Sequence, residues 1–157
     1  MKKIILGISV LLALFVLGVI AVYHSTQSPY NSARTQAESY VRKKTDLTEF
    51  EDFYWYNGEE TFFAVIGNDA ENKKLIAIIE SESGKVTTHD AEESLTEQEA
   101  IALTKQEKNP AEILQARIGM ENNEPVWEVS YLSESGSLGY YVLSMQNGNW
   151  IKDIENI

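Results

Sequence analysis

The sequence predicts an α+β protein: an N-terminal transmembrane helix followed by two units, each one helix packed on an antiparallel meander sheet. Three observations carry this. Residues 4–23 form an uncharged apolar run, the remainder matches itself at an offset of 64 residues, and each copy passes from a helical pattern to short apolar strands divided by turn residues. At 157 residues there is room for one ordinary domain or two very small ones beside a membrane segment, which excludes a large multi-domain enzyme.

The run Ile4 to Tyr23 reads IILGISVLLALFVLGVIAVY. At about 1.5 Å per residue, about 20 residues cross a hydrocarbon core of roughly 30 Å. Lys2 and Lys3 precede it and the next charge is Arg34, so the positive-inside rule places the N-terminus in the cytoplasm and the rest outside. A cleaved signal peptide is the competing reading, with Val19-Ile20-Ala21 as a weak cleavage site, but such apolar regions are shorter. The expected layout is a cytoplasmic tip at 1–3, the span at 4–23, a linker at 24–31, a first unit at 32–92 and a second at 93–157. Eight linker residues reach at most about 28 Å, which holds the domain close to the membrane and favours a membrane-anchored partner.

The offset of 64 sets Ser32 on Thr96, Phe63 on Trp127, Val65 on Val129 and Gly84 on Gly148 without a gap. Each copy begins with a helix. In the first, Tyr30, Ala33, Ala37, Tyr40 and Val41 recur at three- and four-residue spacing behind a cap at Asn31 or Ser32. In the second, Thr96 and Glu99 have capping-box spacing ahead of Ala100, Ile101 and Leu103, and Pro110 marks the exit.

Strands are expected at Phe50 to Tyr56, Thr61 to Asn68, Lys73 to Glu80 and Lys85 to His89, then at Ile113 to Met120, Val126 to Leu132, Leu138 to Met145 and Asn149 to Ile154. Asn57-Gly58, Ser83-Gly84 and Asn147-Gly148 read as tight turns. Leu75 to Ile79 and Tyr140 to Leu143 are apolar on both faces, as strands are when one face lies under a helix and the other in an interface. A unit of about 60 residues has a marginal core, so the two are expected to form one pseudo-symmetric body.

All 24 acidic residues and 11 of the 13 basic ones lie beyond the apolar run, giving that part a net charge of −13. Nucleic acid is excluded as a partner, because phosphate binding needs clustered Lys and Arg. With no cysteine there is no disulfide, thiolate metal site or thiol nucleophile. His24 and His89 stand far apart with no partner motif and read as solvated. No nucleophile elbow, P-loop, dinucleotide fingerprint or zincin motif is present. The carboxylate pairs Glu59-Glu60, Glu92-Glu93 and Asp153/Glu155 suit glycoside hydrolysis in kind, yet they fall in turns and at element ends, as a solvated face does. The loop from Asn68 to Asn72 has oxygen ligands for calcium without EF-hand spacing. No catalytic residue, cofactor or metal ligand is therefore assigned.

Phe53 and Trp55 are the candidate partner surface. On the offset, Phe50, Tyr54 and Tyr56 fall on Leu114, Ile118 and Met120, the parity expected to face the core, whereas Phe53 and Trp55 fall on Arg117 and Gly119. The two aromatics either pack within the fold or form an exposed patch that docks a partner.

The Lys2-Lys3 start, the single span, Asp46-Leu47, the segment Pro125 to Tyr131 and the closing hairpin from Tyr141-Val142 to Gly148 resemble the YpmB-type proteins of Gram-positive bacteria, also called TseB-like cell-wall elongation regulators. The second unit also resembles a PepSY module, although Ser144 stands where an acidic residue often begins the closing turn. The resemblance implies two cystatin-like units, an extracytoplasmic location, no catalytic residues and binding to a membrane-anchored penicillin-binding transpeptidase. The PepSY likeness alone implies an inhibitor or chaperone of an extracytoplasmic protease. A carboxylate-dependent wall hydrolase is the remaining alternative.

Overall fold

The structure is a computed structural model that describes residues 12, 14–16 and 28–155. The expected span at 4–23 and His24 fall mostly outside these residues. Among the described residues no helix is long and apolar enough to cross a membrane. The chain divides into two compact parts, 1–36 and 37–157. Helix α1 covers 28–44. Its start at or before residue 28 removes the expected cap at Asn31 or Ser32: the Asn31 carbonyl accepts from the Thr35 hydroxyl and the Ser32 hydroxyl from Gln36, both within the helix. The linker expected at 24–31 is correspondingly shorter, since 28–31 are helical.

In the part 37–157, β1 (Leu47–Asn57), β2 (Thr61–Asp69), β3 (Lys74–Glu80) and β4 (Val86–Asp90) form one antiparallel meander. Helix α2 (Glu97–Lys108) follows, then a second meander of β5 (Glu112–Glu121), β6 (Glu124–Leu132), β7 (Leu138–Ser144) and β8 (Trp150–Ile154). The capping box at α2 is formed as expected, Thr96 accepting from the Glu99 N–H while the Glu99 carboxylate accepts from Thr96. Asn109 closes the helix in the left-handed conformation.

The first face of sheet β1–β4 is covered by residues 37–44, the C-terminal part of α1. Val65, Ala77 and Ile79 point to it, Ala37 and Val41 are buried against it, and the Tyr40 hydroxyl donates to the Gly84 carbonyl at 2.9 Å. β1 reaches this face with an irregular step. Bulges within Leu47–Glu49 and Phe50–Asp52 insert one residue each, so Leu47, Phe50 and Phe53 all point toward α1 at a spacing of three. The expected parity of Phe50 with Tyr54 and Tyr56 is therefore wrong, and the bulge is the reason. In β5 one matching bulge, within Ile113–Gln115, turns Leu114 outward at 46% exposure while Ile113 packs inward.

Strand pairing also corrects the repeat. Phe53 pairs with Val65 as Ala116 pairs with Val129, and Tyr56 with Phe62 as Gly119 with Val126, an offset of 63 in the first strand and 64 thereafter. The helices keep the shorter offset: buried Ala37 and Val41 match buried Ala100 and Thr104. The slip arises at the hairpin, where Asn57 and Thr61 enclose three residues but Met120 and Pro125 enclose four. Two asparagines with positive φ, Asn122 and Asn123, make the tighter turn. Gly84 and Gly148 have positive φ as expected, whereas Gly58 does not; a Cβ there would instead strike the Tyr56 ring at 2.7 Å.

The second face of the first sheet joins the core of the second repeat. Tyr56, Phe62, Ala64, Ile66, Ile76 and Ile78 share one buried cluster with Ala100 of α2 and with Ile118, Trp127, Val129, Tyr141 and Leu143. β3 and β7 thus bury both faces, as their composition predicts.

Candidate functional site

Phe53 and Trp55 lie on the α1 side of the first sheet. Phe53 is 5% exposed and stacks on Phe63 with ring centres 6.0 Å apart, so it offers no surface to a partner. Trp55 is half-buried, meets Phe63 edge-on at 5.5 Å, and donates from its indole N–H to the Asn57 side chain at 3.0 Å. Phe63 unites the two; its place opposite Trp55 depends on the hairpin register.

The asymmetry between the repeats belongs to the other two aromatics of β1. By strand pairing, Arg117 and Gly119 are the counterparts of Tyr54 and Tyr56. Tyr54 meets the Trp127 ring edge-on at 5.4 Å, on the face of the second sheet that carries Ile118. Tyr56 lies over Gly119 on the opposite face. The edge strand β5 is held between these two rings, and only glycine leaves room for the second.

Beyond Gly119, the Tyr56 hydroxyl donates to the Glu121 carboxylate, which also takes Lys152 at 2.6 Å. Arg117 and Glu128 stand beside them, 3.8 Å apart. Burial, then the hydrogen bond to Glu121, raises the Tyr56 phenol above its ordinary value. Burial raises Glu128 as well, against the pull of Arg117 and Lys152. Two acids and two bases neutralise one another here, and the network joins the repeats.

The acids weighed as catalytic pairs separate into different roles. Asp153 and Glu155 share the ammonium of Lys108, Glu155 at 2.8 Å, and that hydrogen bond is the main cause lowering both carboxyls. Glu59-Glu60 and Glu92-Glu93 are exposed in connections. Asp69 accepts from the Glu71 and Lys73 N–H groups, a turn that engages its carboxylate. No group of acids and histidines among the described residues is arranged to hold a metal. His89 is not solvated as expected: its Nε2 is buried without a hydrogen-bond partner among the described residues, and burial lowers its pKa.

A groove of about 840 Å³ lies between the second face of the first sheet and the beginning of α2. Tyr54, Ile66, Ile76, Leu95, Ile101 and Trp127 supply its apolar lining. Asp52 and Lys74 edge it on the sheet side; Glu92, Glu97 and Glu99 edge it on the helix side. Glu97 accepts from the Tyr54 hydroxyl at 2.9 Å and Glu99 is fixed in the capping box, so two of the rim acids are held in place. Sequence patterning could not find this groove, because its walls come from β1–β3 and from the 91–101 segment, which only tertiary packing brings together.

Comparison with known proteins agrees with this architecture. Residues 36–80 match the model of the cell wall elongation regulator TseB-like domain. A protein of Bacillus subtilis (strain 168) described as the probable cell wall elongation regulator TseB is 23% identical over 159 aligned positions, covering 98% of this chain and 99% of the relative. The structure of the YpmB protein from Bacillus subtilis superposes with a TM-score of 0.70 at 24% identity, over 77% of this chain and 95% of that one, which shows a shared fold. A matching domain at the first repeat, an end-to-end relative and the same fold together support a likeness to the TseB/YpmB-like family.

Proposed function

We propose that this protein is a membrane-anchored, extracytoplasmic, non-enzymatic interaction module that regulates cell-wall elongation by binding a penicillin-binding transpeptidase. The end-to-end relation to a protein described as a probable cell wall elongation regulator carries the reading. The anchor is assigned to residues 4–23, with the N-terminus in the cytoplasm, on the length of the apolar run and the lysines before it. The site geometry supports binding rather than hydrolysis: the rim acids of the groove serve Tyr54 and the α2 cap, and Asp153 and Glu155 serve Lys108.

Residues 24–36 connect Tyr23 to the first buried residue of the folded part, Ala37, and 28–36 are helical. Four extended residues and nine helical ones reach about 30 Å at most. A partner confined to the same membrane layer gains effective concentration from the shared anchoring, so a modest contact suffices.

Mild crosslinking of native membranes followed by purification of the full chain tests the proposal. Recovery of a penicillin-binding transpeptidase is the expected result. A purification that yields no wall-synthesis protein refutes it, and recovery of an extracytoplasmic protease instead would favour the inhibitor or chaperone alternative.

A further inference from the structure

We propose that the groove between the first sheet and the beginning of α2 docks an extended segment of a partner protein in which a large apolar side chain is flanked by Lys or Arg. This inference rests on the binding role proposed above and names the surface and the chemistry of the contact.

The groove is open along the surface and its volume of about 840 Å³ falls in the range of ligand clefts, roughly 300–1,000 Å³. An apolar side chain that enters meets Leu95 and Ile101 on one wall and Ile66 and Ile76 on the other, above the Tyr54–Trp127 pair. Burying it there is favourable by the apolar area removed from water. The rim then selects the flanks. Among the described residues that line the groove, Asp52, Glu92, Glu97 and Glu99 are opposed by one ammonium, Lys74, which already has Glu51 at 2.5 Å.

Glu97 and Glu99 are each engaged by hydrogen bonds, yet a carboxylate accepts at about four positions, so they keep acceptor capacity while being fixed in direction. They also stand in the first turn of α2, where they offset the positive end of the helix that would otherwise attract an anion. The net charge of −11 for the whole chain steers cationic segments toward this surface and repels anionic polymers and headgroups.

The test uses the full chain and two fluorescein-labelled nonapeptides, one with Leu and Phe flanked by Lys and one with Glu replacing each Lys, read by fluorescence anisotropy. The Lys peptide should bind, its Kd should rise at least tenfold in an Asp52→Lys/Glu92→Lys variant, and Glu82→Lys on a distant turn should leave it unchanged. Both rim residues are exposed, and thermal melts verify that the variants fold. Equal binding of the two peptides, or equal effects of rim and control reversals, overturns the proposal. Membrane crosslinking with the rim variant separates this idea from the one it rests on. A transpeptidase recovered at the wild-type yield refutes the groove and leaves the binding role standing, whereas failure with the wild-type chain refutes the binding role itself.

Discussion

Replacing Gly119 by alanine tests whether β5 is clasped between Tyr54 and Tyr56. The new Cβ would lie 2.7 Å from Cδ2 of Tyr56 and closer still to the near ring atoms. Tyr56 is 1% exposed and tied to Glu121, so the ring cannot swing away. Overpacking of this kind costs about 1–3 kcal/mol, while alanine recovers roughly 0.5–1 kcal/mol of the intrinsic cost of glycine in a strand. The net is about 1–2 kcal/mol of destabilisation, or a fall in Tm of roughly 4–8 °C for a body of this size. Differential scanning calorimetry of the full chain measures it. In a Tyr56→Ala background the ring is gone, and the same Gly119→Ala change should become neutral or stabilising. An equal loss in both backgrounds, or a higher Tm for Gly119→Ala alone, refutes the clasp.

Gly67→Ala should be costlier than Gly119→Ala, because its Cβ meets backbone, 3.0 Å from the Glu49 carbonyl carbon and nearer to the oxygen; denaturant unfolding ranks the two. Thr96→Ala removes the α2 cap and should cost about 1 kcal/mol, read as a lower denaturation midpoint with the slope unchanged. Asp153 and Glu155 have pKa values below their ordinary 3.8 and 4.5. The stability they contribute is complete above those ordinary values and is lost as pH falls through the depressed ones. Thermal melts between pH 2 and 6 should therefore show a shallower acid-side decline in Asp153→Asn/Glu155→Gln than in the wild type, and an unchanged decline would contradict the pairing with Lys108.

The elements legible in the sequence are those whose signal is local. The capping box needs only Thr96 and Glu99, the turns at Gly84 and Gly148 need only a residue that accepts positive φ, and strands apolar on both faces identify β3 and β7. Which face a residue of β1 presents is not local. It depends on two bulges and on one residue of difference between the hairpins, and neither changes the composition of the strand. A one-residue slip reverses every side chain of a strand. That is why Phe53, set on the opposite parity to Phe50 from the sequence, is buried on the same face as Phe50, and why Tyr54 and Tyr56, grouped with Phe50 on one core-facing parity, reach the other repeat instead.

The corrected register gives the asymmetry a physical cause. Tyr56 and Gly119 are counterparts in the two repeats, and they touch each other. A joint where equivalent positions meet cannot take a large ring from both sides, so one copy must give up its side chain. Here the first repeat keeps the rings and the second keeps the glycine, with Arg117 beside it joining the charged network. Tyr54, committed to Trp127 by the same arrangement, then forms the base of the acidic groove, and its hydroxyl fixes Glu97 on the rim. The arrangement that joins the repeats thus also shapes the groove, so a defect at Gly119 large enough to displace β1 should weaken peptide docking without altering a single rim charge.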